Sequence, residues 1–424
     1  MSFQTGVSGL NAAGRNLDVI GNNVANASTV GGKSSRAQFS DVYARAAGGG
    51  SDNIGLGVTL SSVTQQFSEG SISATNNSMD VAINGGGFFQ VKDVNNLVSY
   101  TRNGQFQTDS DGYITNAAGL KLLGYPASSQ GALIPGQAQP LVLPTAGIPP
   151  SATSSVSLQL NLNATGAVTT GRVAPPSSAP IDFNDAKTYN NATTVNTYDA
   201  KGQEVAMTYY FQKSDPDKWN VFASANGSAV SPDGAGDPQP ITTMEFSPDG
   251  SVPTAPVGPV TFEVPATTGS NGAVTLPIVG VELDLSATSQ YGAAFGVTNV
   301  SQDGFPPGQL SSIAIQKNGI VLATYSSGQS AAIGQIEMAT FRNLQGLLPL
   351  GDNTWGATHA SGVPVTGTPG SGNLGSLVAG AIEESNVDLT AELVNMMVAQ
   401  RMYQANAQTI KTQDGIMQTL VNMR

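Results

Sequence analysis

The chain has 424 residues, no cysteine and one histidine. The lack of thiols excludes disulfides, thiolate metal ligands and cysteine nucleophiles. A zinc site or a serine triad would depend on His359 alone, and its Gly/Ala/Thr-rich surroundings favour a surface loop. We therefore expect no catalytic residues, no cofactor and no metal, and a fold that is held together by packing and assembly.

Basic residues are also scarce, with 17 Lys and Arg against 29 Asp and Glu and a net charge of −12. Phosphate neutralisation needs clustered cations, so this balance argues against a nucleic-acid partner. No apolar run reaches 18 residues, so we expect no membrane insertion. The first thirty residues lack a cationic start followed by an apolar core, which predicts export without a cleavable signal peptide.

Both ends of the chain carry helical patterns. Apolar or small residues alternate at spacings of four and three over the first 27 and the last 36 residues, as in a coiled-coil-like seam. Asp388 or Ser385 is the expected N-cap of the last helix, and Glu392 suits its first turn. The predicted assembly seam consists of Phe3, Val7, Leu10, Leu17, Val24, Leu389, Leu393, Met396, Tyr403, Ile410, Met417 and Val421. A soluble two-helix hairpin is the alternative interpretation.

The middle of the chain reads as β structure. Between residues 70 and 360, short β-branched and aromatic runs such as 88–91, 205–211 and 313–316 alternate with Asn-Gly and Asp-Gly turn signals. Pro-rich tracts at 144–155, 174–180 and 253–265 favour the entry and exit of an inserted domain.

The sequence therefore predicts an α+β multidomain fold. Long N- and C-terminal α-helices would pair as a coiled-coil-like core domain, with nested β-rich domains between them. The expected divisions are a helical core domain (1–30 and 385–424), connecting segments (31–70 and 362–384), a first β domain (71–145 and 285–361) and an inserted outer β domain (146–284).

Apparent catalytic motifs have simpler structural interpretations. The GGKSS stretch at 31–35 lacks the upstream glycine of a phosphate loop, which favours a turn leaving the first helix. Residues 109–112 resemble a calcium loop without its closing Glu, which favours a hairpin turn. Glu383 and Glu384 precede the last helix, where interaction with the helix dipole explains them better than glycoside chemistry. We predict that the protein is not an enzyme.

Several segments resemble the rod and hook axial protein family of the bacterial flagellum, and its hook subunits in particular. The segments are 17–26 (LDVIGNNVAN), 79–89 (MDVAINGGGFF), 100–104 (YTRNG), 111–113 with 124–126, 301–309, 351–355 and, most specifically, 384–389 (ESNVDL) with 400–413. The resemblance covers roughly residues 1–145 and 285–424. One departure is Gly32, since members usually carry an aromatic residue after the glycine that matches Gly31.

The resemblance implies a structural subunit that polymerises helically into a short, curved, flexible tube. The tube would link rod and filament outside the cell as a universal joint that transmits torque for motility. The implied partners are other copies, the distal rod, the hook cap, the hook–filament junction protein and the type III export apparatus. A rod or junction subunit is the alternative within the family, and a secreted carbohydrate-binding or adhesive β protein is the alternative outside it.

Overall fold

The computed structural model describes residues 2–42, 57–128, 131–144, 147–173, 179–232, 238–269 and 272–423, with side chains outside the description at 2, 3 and 420. These residues form a helix at each end with β-sheets between, which confirms the predicted α+β multidomain class. The chain divides into two compact units. The first comprises Met1–Thr145, Ser312–Thr324 and Ser330–Arg424, and the second comprises Ala146–Ser311 and Tyr325–Gln329.

The elements follow one another in chain order as follows. The chain begins with α1 (Ser2–Ala25), β1 (Ser35–Val42), β2 (Gly57–Gln65), β3 (Ile72–Ala74), β4 (Val81–Asn84), β5 (Phe88–Lys92), β6 (Val98–Thr101), β7 (Phe106–Thr108), β8 (Ile114–Asn116), β9 (Lys121–Pro126) and β10 (Gln139–Pro140). It continues with β11 (Ser155–Asn163), β12 (Asn191–Tyr198), β13 (Glu204–Asp215), β14 (Lys218–Ala225), β15 (Ser228–Val230), β16 (Thr242–Phe246), β17 (Pro253–Ala255), β18 (Val260–Val264), β19 (Ile278–Asp284), β20 (Ser289–Tyr291) and β21 (Gly296–Gln302). It ends with β22 (Leu310–Ile315), β23 (Ile320–Tyr325), β24 (Ser330–Ile336), β25 (Met338–Thr340), a 3₁₀ turn (Leu344–Gly346), β26 (Leu348–Gly351), β27 (Thr354–Gly356), β28 (Val365–Gly367), β29 (Ser376–Ala379), β30 (Ala381–Glu383) and α2 (Leu389–Asn422).

The first unit is built on a sheet whose strands do not follow chain order. Strands β9, β5 and β6 lie at its centre, with β24 and β27 beside them. Phe89, Val91 and Leu122 form part of the apolar core under this sheet. A second cluster gathers Phe88 and Trp355 edge to face, with ring centroids 5.6 Å apart. The β1–β2 hairpin, the β3–β30 pair and the β4–β29 pair complete the unit.

The second unit has two sheets that share one apolar core. One sheet runs β18-β19-β11-β20 with β21 also paired to β11, and the other runs β12-β13-β14-β16-β17 with β15 on β14. Alternate residues of β11 and β13 are buried, as expected for strands with one face in a core. Trp219 lies in this core, and its indole N–H donates to Gln290 Oε1 at 2.7 Å.

The second unit ends later than the sequence predicted. We expected the chain to return to the first β domain at residue 285, and the contacts place 285–311 with the inserted unit. The reason is strand pairing, because β20 runs parallel to β11 and β21 runs antiparallel to it. The predicted division of the first unit into helices, connecting segments and β domain stays a prediction.

Candidate assembly interface

The two terminal helices pack against each other in antiparallel directions. A Cβ atom added to Gly6 near the start of α1 would lie 3.2 Å from Ile410 Cγ1 in the second half of α2. At the other end of α1, the Asn23 amide donates to Glu392 Oε1 at 3.2 Å in the first turn of α2. As the residue number rises along α1, it falls along α2. The chain therefore leaves and re-enters the β structure at the same end of the helix pair.

The buried stripe of α1 is displaced by one residue from the predicted seam. The buried positions of α1 are Gly6, Ala13, Ile20 and Asn23, spaced by seven, seven and three residues. The predicted seam residues Val7, Leu10, Leu17 and Val24 are only half-buried, and the side chain of Phe3 lies outside the described residues. The pattern contained two neighbouring stripes, and sequence alone did not separate the one that contacts α2 from the one beside it.

On α2, most of the predicted seam is exposed. Met396 and Ile410 are half-buried, whereas 45% of Leu389, 49% of Leu393, 40% of Tyr403, 60% of Met417 and 72% of Val421 is accessible. Further exposed apolar residues that the seam did not include are Val394, Met397, Val398, Met402 and Ile416. The sequence does carry a signal for these residues, since several of them are consecutive apolar pairs. Consecutive residues lie on different faces of a helix, and a helix with apolar residues on several faces has more surface to bury than one partner helix covers.

The start of α2 is fixed by a cap that the sequence predicted. The Asp388 carboxylate accepts hydrogen bonds from the backbone N–H groups of Thr390 at 2.9 Å and Ala391 at 3.1 Å. Glu392 lies in the first turn, as predicted. A carboxylate at this end also interacts favourably with the helix dipole.

The β1–β2 hairpin lies along α1. Asn23 binds the backbone of Ser35 like a neighbouring strand: its amide donates to the Ser35 carbonyl and its Oδ1 accepts from the Ser35 N–H, both at 2.8 Å. Near the other end of α1, the Ser8 hydroxyl accepts from the Val58 N–H at 3.3 Å. The hairpin and α1 therefore lie side by side and form one continuous surface.

A buried ionic cluster, which we call the junction cluster, lies where the helices meet the β structure. It consists of Lys33, Arg102 and Glu383. Lys33 Nζ lies 2.6 Å from Glu383 Oε1, and Arg102 Nη1 lies 3.0 Å from Glu383 Oε2. Each cation also donates to a backbone carbonyl: Lys33 Nζ to Ser68 at 2.7 Å and Arg102 Nη2 to Gly85 at 2.8 Å. Burial lowers the pKa of Lys33 from 10.5, and the hydrogen bond to Glu383 opposes that shift.

The junction cluster corrects one expectation. Glu383 was predicted to act on the helix dipole, but it ends strand β30 and its side chain is fully buried between two cations. No residue spacing predicts this cluster, because its members lie far apart in the chain. Composition offers one hint, because the chain has few cations. Any Lys or Arg that is buried needs a specific anion beside it.

Glycine and amide groups complete the junction. Gly31 has φ +68°, and a Cβ there would lie 2.6 Å from the Asn103 nitrogen. Gly32, where the resembling family usually has an aromatic residue, is buried, and a Cβ on it would overlap Thr29 Oγ1. Asn386 Oδ1 accepts from the Ser34 N–H at 2.7 Å. Three segments that carried the resemblance (17–26, 100–104 and 384–389) thus meet in one place.

The other candidate residues do not form a site. His359 is exposed in a turn. Asp109 closes the β7–β8 hairpin turn by accepting from the Asp111 and Tyr113 N–H groups at 3.0 and 2.7 Å. Within the described ranges, no group of three His, Asp or Glu residues is arranged to hold a metal. No described helix combines the length and hydropathy needed to cross a bilayer.

Comparison with known proteins agrees with this architecture. Four protein families match: Flagella basal body rod protein (residues 3–33), Flagellar hook protein FlgE/F/G D1 domain (82–170), Flagellar basal body protein FlaE D2 domain (161–305) and Flagellar basal body rod FlgEFG protein C-terminal (378–423). A solved structure of Helicobacter pylori flagellar hook protein FlgE2 has a similar fold. It is 15% identical with a TM-score of 0.50, over 72% of this chain and 98% of that one.

Whole-chain relatives are closer in sequence. The chain is 42% identical to the flagellar hook protein FlgE of Salmonella typhimurium and 40% identical to that of Escherichia coli K12, in each case over 100% of both chains. The matched families include most of both terminal helices and much of the β structure between them, so the likeness is not confined to one part of the fold. The chain belongs to the flagellar hook protein family and is a structural subunit of the bacterial flagellar hook.

Proposed function

We propose that this subunit polymerises helically into a short, curved, flexible tube that links the rod to the filament and transmits torque as a universal joint. The terminal helices form its coiled-coil-like core, with the predicted seam residues buried between copies. The observation that carries the proposal is the row of exposed apolar side chains on α2, including Leu389, Leu393 and Met417, on a helix that already packs against α1.

The energetics favour assembly through many small contacts. Fully burying a Leu, Ile or Met side chain contributes roughly 1.5–3 kcal/mol, so a half-exposed one gains roughly half of that. Association itself costs roughly 4–15 kcal/mol. Several α2 residues must therefore be buried together, which couples the final ordering of the helices to polymerisation.

The geometry of such a polymer must be head-to-tail. A surface that pairs with its own copy closes a dimer, whereas two different complementary surfaces give an open helix when the rotation between copies does not close a ring. The helical core domain (1–30 and 385–424) lies inside in this proposal. The connecting segments (31–70 and 362–384) and the β domains lie further out, where contacts between copies slide as the tube bends.

The proposal extends to partners and location. The subunit contacts other copies of itself in the hook outside the cell, and at the ends of the tube the distal rod, the hook cap and the hook–filament junction protein. It passes through the flagellar export apparatus with its N-terminus uncleaved. Its role is mechanical, and it needs no catalytic residue or cofactor.

A seam substitution tests the proposal. Leu393→Gln should raise the protein concentration needed for tube formation several-fold and leave the melting of the monomer unchanged, because half of that side chain already faces solvent. The control is Val363→Gln, at an exposed apolar residue outside the helices, which should change neither quantity. Equal effects of the two substitutions on tube formation would remove the argument for the seam.

Truncation of either terminal helix provides a stronger test of the proposal. Deleting residues 1–27 or 388–424 should leave a folded β-rich monomer that forms no tubes, as seen by circular dichroism and negative-stain electron microscopy. Tubes of normal length and curvature from either truncation would refute the proposal. Straight, rigid tubes from the intact chain would favour a rod-like role.

A further inference from the structure

Helix α2 extends past the end of α1. Because Gly6 lies against Ile410 in an antiparallel pair, Ser2 at the start of α1 lies level with Asp414. A Cβ placed on Gly415 would meet no described atom within 4 Å. Residues 415–422, which we call the overhang, therefore project about 12 Å at 1.5 Å per residue beyond the last α1 contact.

The overhang is uncharged and carries one exposed apolar face. Ile416, Met417 and Val421 are all exposed, and residues 415–423 (GIMQTLVNM) contain no ionisable side chain. Met417 and Val421 are four residues apart, so they share one face of the helix. Gln418, Thr419 and Asn422 share the opposite face, so this end is amphipathic, and its apolar face has the composition of a surface that packs against another element.

A matching cavity lies further down the helix pair. It lies between α1, α2 and the β1–β2 hairpin, has a volume of about 380 Å³, and we call it the helix groove. Its walls include Gly9, Ala13, Phe39, Val58, Met402 and Ala405. None of its lining residues is charged, and the small side chains let another helix approach closely.

The overhang of the same copy cannot fill this groove. Met402 in the groove and Met417 in the overhang are fifteen residues apart on one helix, a rise of roughly 22 Å. An overhang that fills this groove must therefore come from another molecule. The overhang and the groove are different surfaces, so a contact between them repeats from copy to copy and generates a helical polymer when the rotation between copies does not close a ring.

From these observations we infer that the overhang of one copy binds in the helix groove of a second copy. This inference rests on the proposed helical polymer and names one of its contacts. It assigns Ile416, Met417 and Val421 to an interface with Phe39, Val58 and Met402 of the neighbouring copy.

Cysteine trapping tests this contact cleanly because the chain has no cysteine. The full-length Phe39→Cys/Met417→Cys variant is assembled into tubes and oxidised, and denaturing gels should show a ladder of covalent multimers. An intramolecular bond is out of reach, since a disulfide needs Cα atoms within roughly 7 Å. The matched control is Val63→Cys/Met417→Cys, at an exposed apolar residue of the same hairpin outside the groove, which should give no ladder.

Mixing single variants tests the head-to-tail character. Phe39→Cys and Met417→Cys chains should each give no cross-link alone and should give dimers when co-assembled. Dimers from Met417→Cys alone would mean that the overhang contacts its own counterpart, which contradicts the inference. If the double variant does not assemble, the mixed single variants decide the matter, because each carries one exposed substitution.

Different experimental outcomes would contradict the inference and the proposed function. Normal tubes without a ladder from the Phe39/Met417 pair and without dimers from the mixture would overturn the inference and leave the tube-forming role intact. Failure of the unsubstituted chain to form tubes would contradict the proposed function itself.

Discussion

The Lys33 ammonium lies 2.6 Å from Glu383 Oε1, although 350 residues separate the two in the chain and both side chains are fully buried. This pair joins the segment that leaves α1 to the strand that precedes α2. The junction cluster is therefore complete only when both ends of the chain are in place, and it fixes the base of the helix pair to the β structure.

Replacing the shared anion should destabilise the first unit strongly. Glu383→Gln leaves the Lys33 ammonium and the Arg102 guanidinium buried without a counterion, and breaking a buried pair costs about 3–5 kcal/mol. The chain has two tryptophans, and Trp355 is the one in the first unit. Urea unfolding followed by Trp355 fluorescence in a Trp219→Phe background measures the effect.

An exposed ion pair provides the control for that substitution. Lys218 and Glu245 lie 2.6 Å apart, with nearly half of each side chain exposed. Pairs of this kind contribute less than about 1 kcal/mol, so Glu245→Gln should cause little shift in the unfolding midpoint of the second unit, which contains the pair and is followed by Trp219 fluorescence. A loss of stability for Glu383→Gln as small as that for Glu245→Gln would show that the junction cluster is not a buried ionic contact.

The Asn23 amide should contribute more than its helix propensity suggests. Asn23→Ala removes the hydrogen bonds to Ser35 and Glu392 and leaves half-buried backbone groups of Ser35 unpaired, at a cost of about 1–3 kcal/mol. Asn11→Ala, on an exposed position of the same helix, should be neutral or slightly stabilising. Thermal unfolding of the two variants separates the cases, and equal melting temperatures would contradict the assigned role of Asn23.

Gly31 should tolerate no side chain. A residue with a Cβ atom would have to adopt the left-handed conformation at φ +68°. Its Cβ would also lie 2.6 Å from the Asn103 nitrogen. Gly119 has φ +76° in open space, so Gly119→Ala carries only the conformational cost of about 1–2 kcal/mol. Gly31→Ala should therefore destabilise the first unit by more than Gly119→Ala does in the same urea titration, and the reverse order would be incompatible with this packing.

Tyr209 should control part of the alkaline stability of the second unit. Burial raises the pKa of this phenol above its ordinary value of 10.0. Above pH 10 the unfolded chain therefore releases a proton that the folded chain retains, so the free energy of unfolding falls as pH rises. Its hydroxyl has no hydrogen-bond partner among the described residues. Tyr209→Phe should thus leave the free energy of unfolding unchanged or raise it at pH 7, because it removes no hydrogen bond.

The same variant should weaken the decline above pH 10. Trp219 fluorescence reports unfolding of the second unit, and the comparison with the unsubstituted chain isolates Tyr209 from the other tyrosines. Tyr291→Phe, at an exposed tyrosine of that unit, is the control and should leave the decline as it is. An unchanged slope for Tyr209→Phe would contradict the assignment.

Local patterns predicted much of this fold, and long-range pairing limited the rest. The Asp388 cap and both helices follow from short-range spacing, and Asn226-Gly227 forms the predicted tight turn with positive φ at both residues. The return at 312 was missed because it depends on β20 and β21 choosing β11 as their partner. The junction cluster was missed for the same reason, since no window of sequence contains Lys33, Arg102 and Glu383 together.

Hydrogen exchange across α2 tests the central claim most directly. If its exposed apolar face is buried only between copies, amides of residues 389–422 should exchange roughly 100-fold more slowly in assembled tubes than in the full-length monomer at the same pH and temperature. Equal protection of α2 in monomer and tube, with the monomer stable at high concentration, would contradict the account.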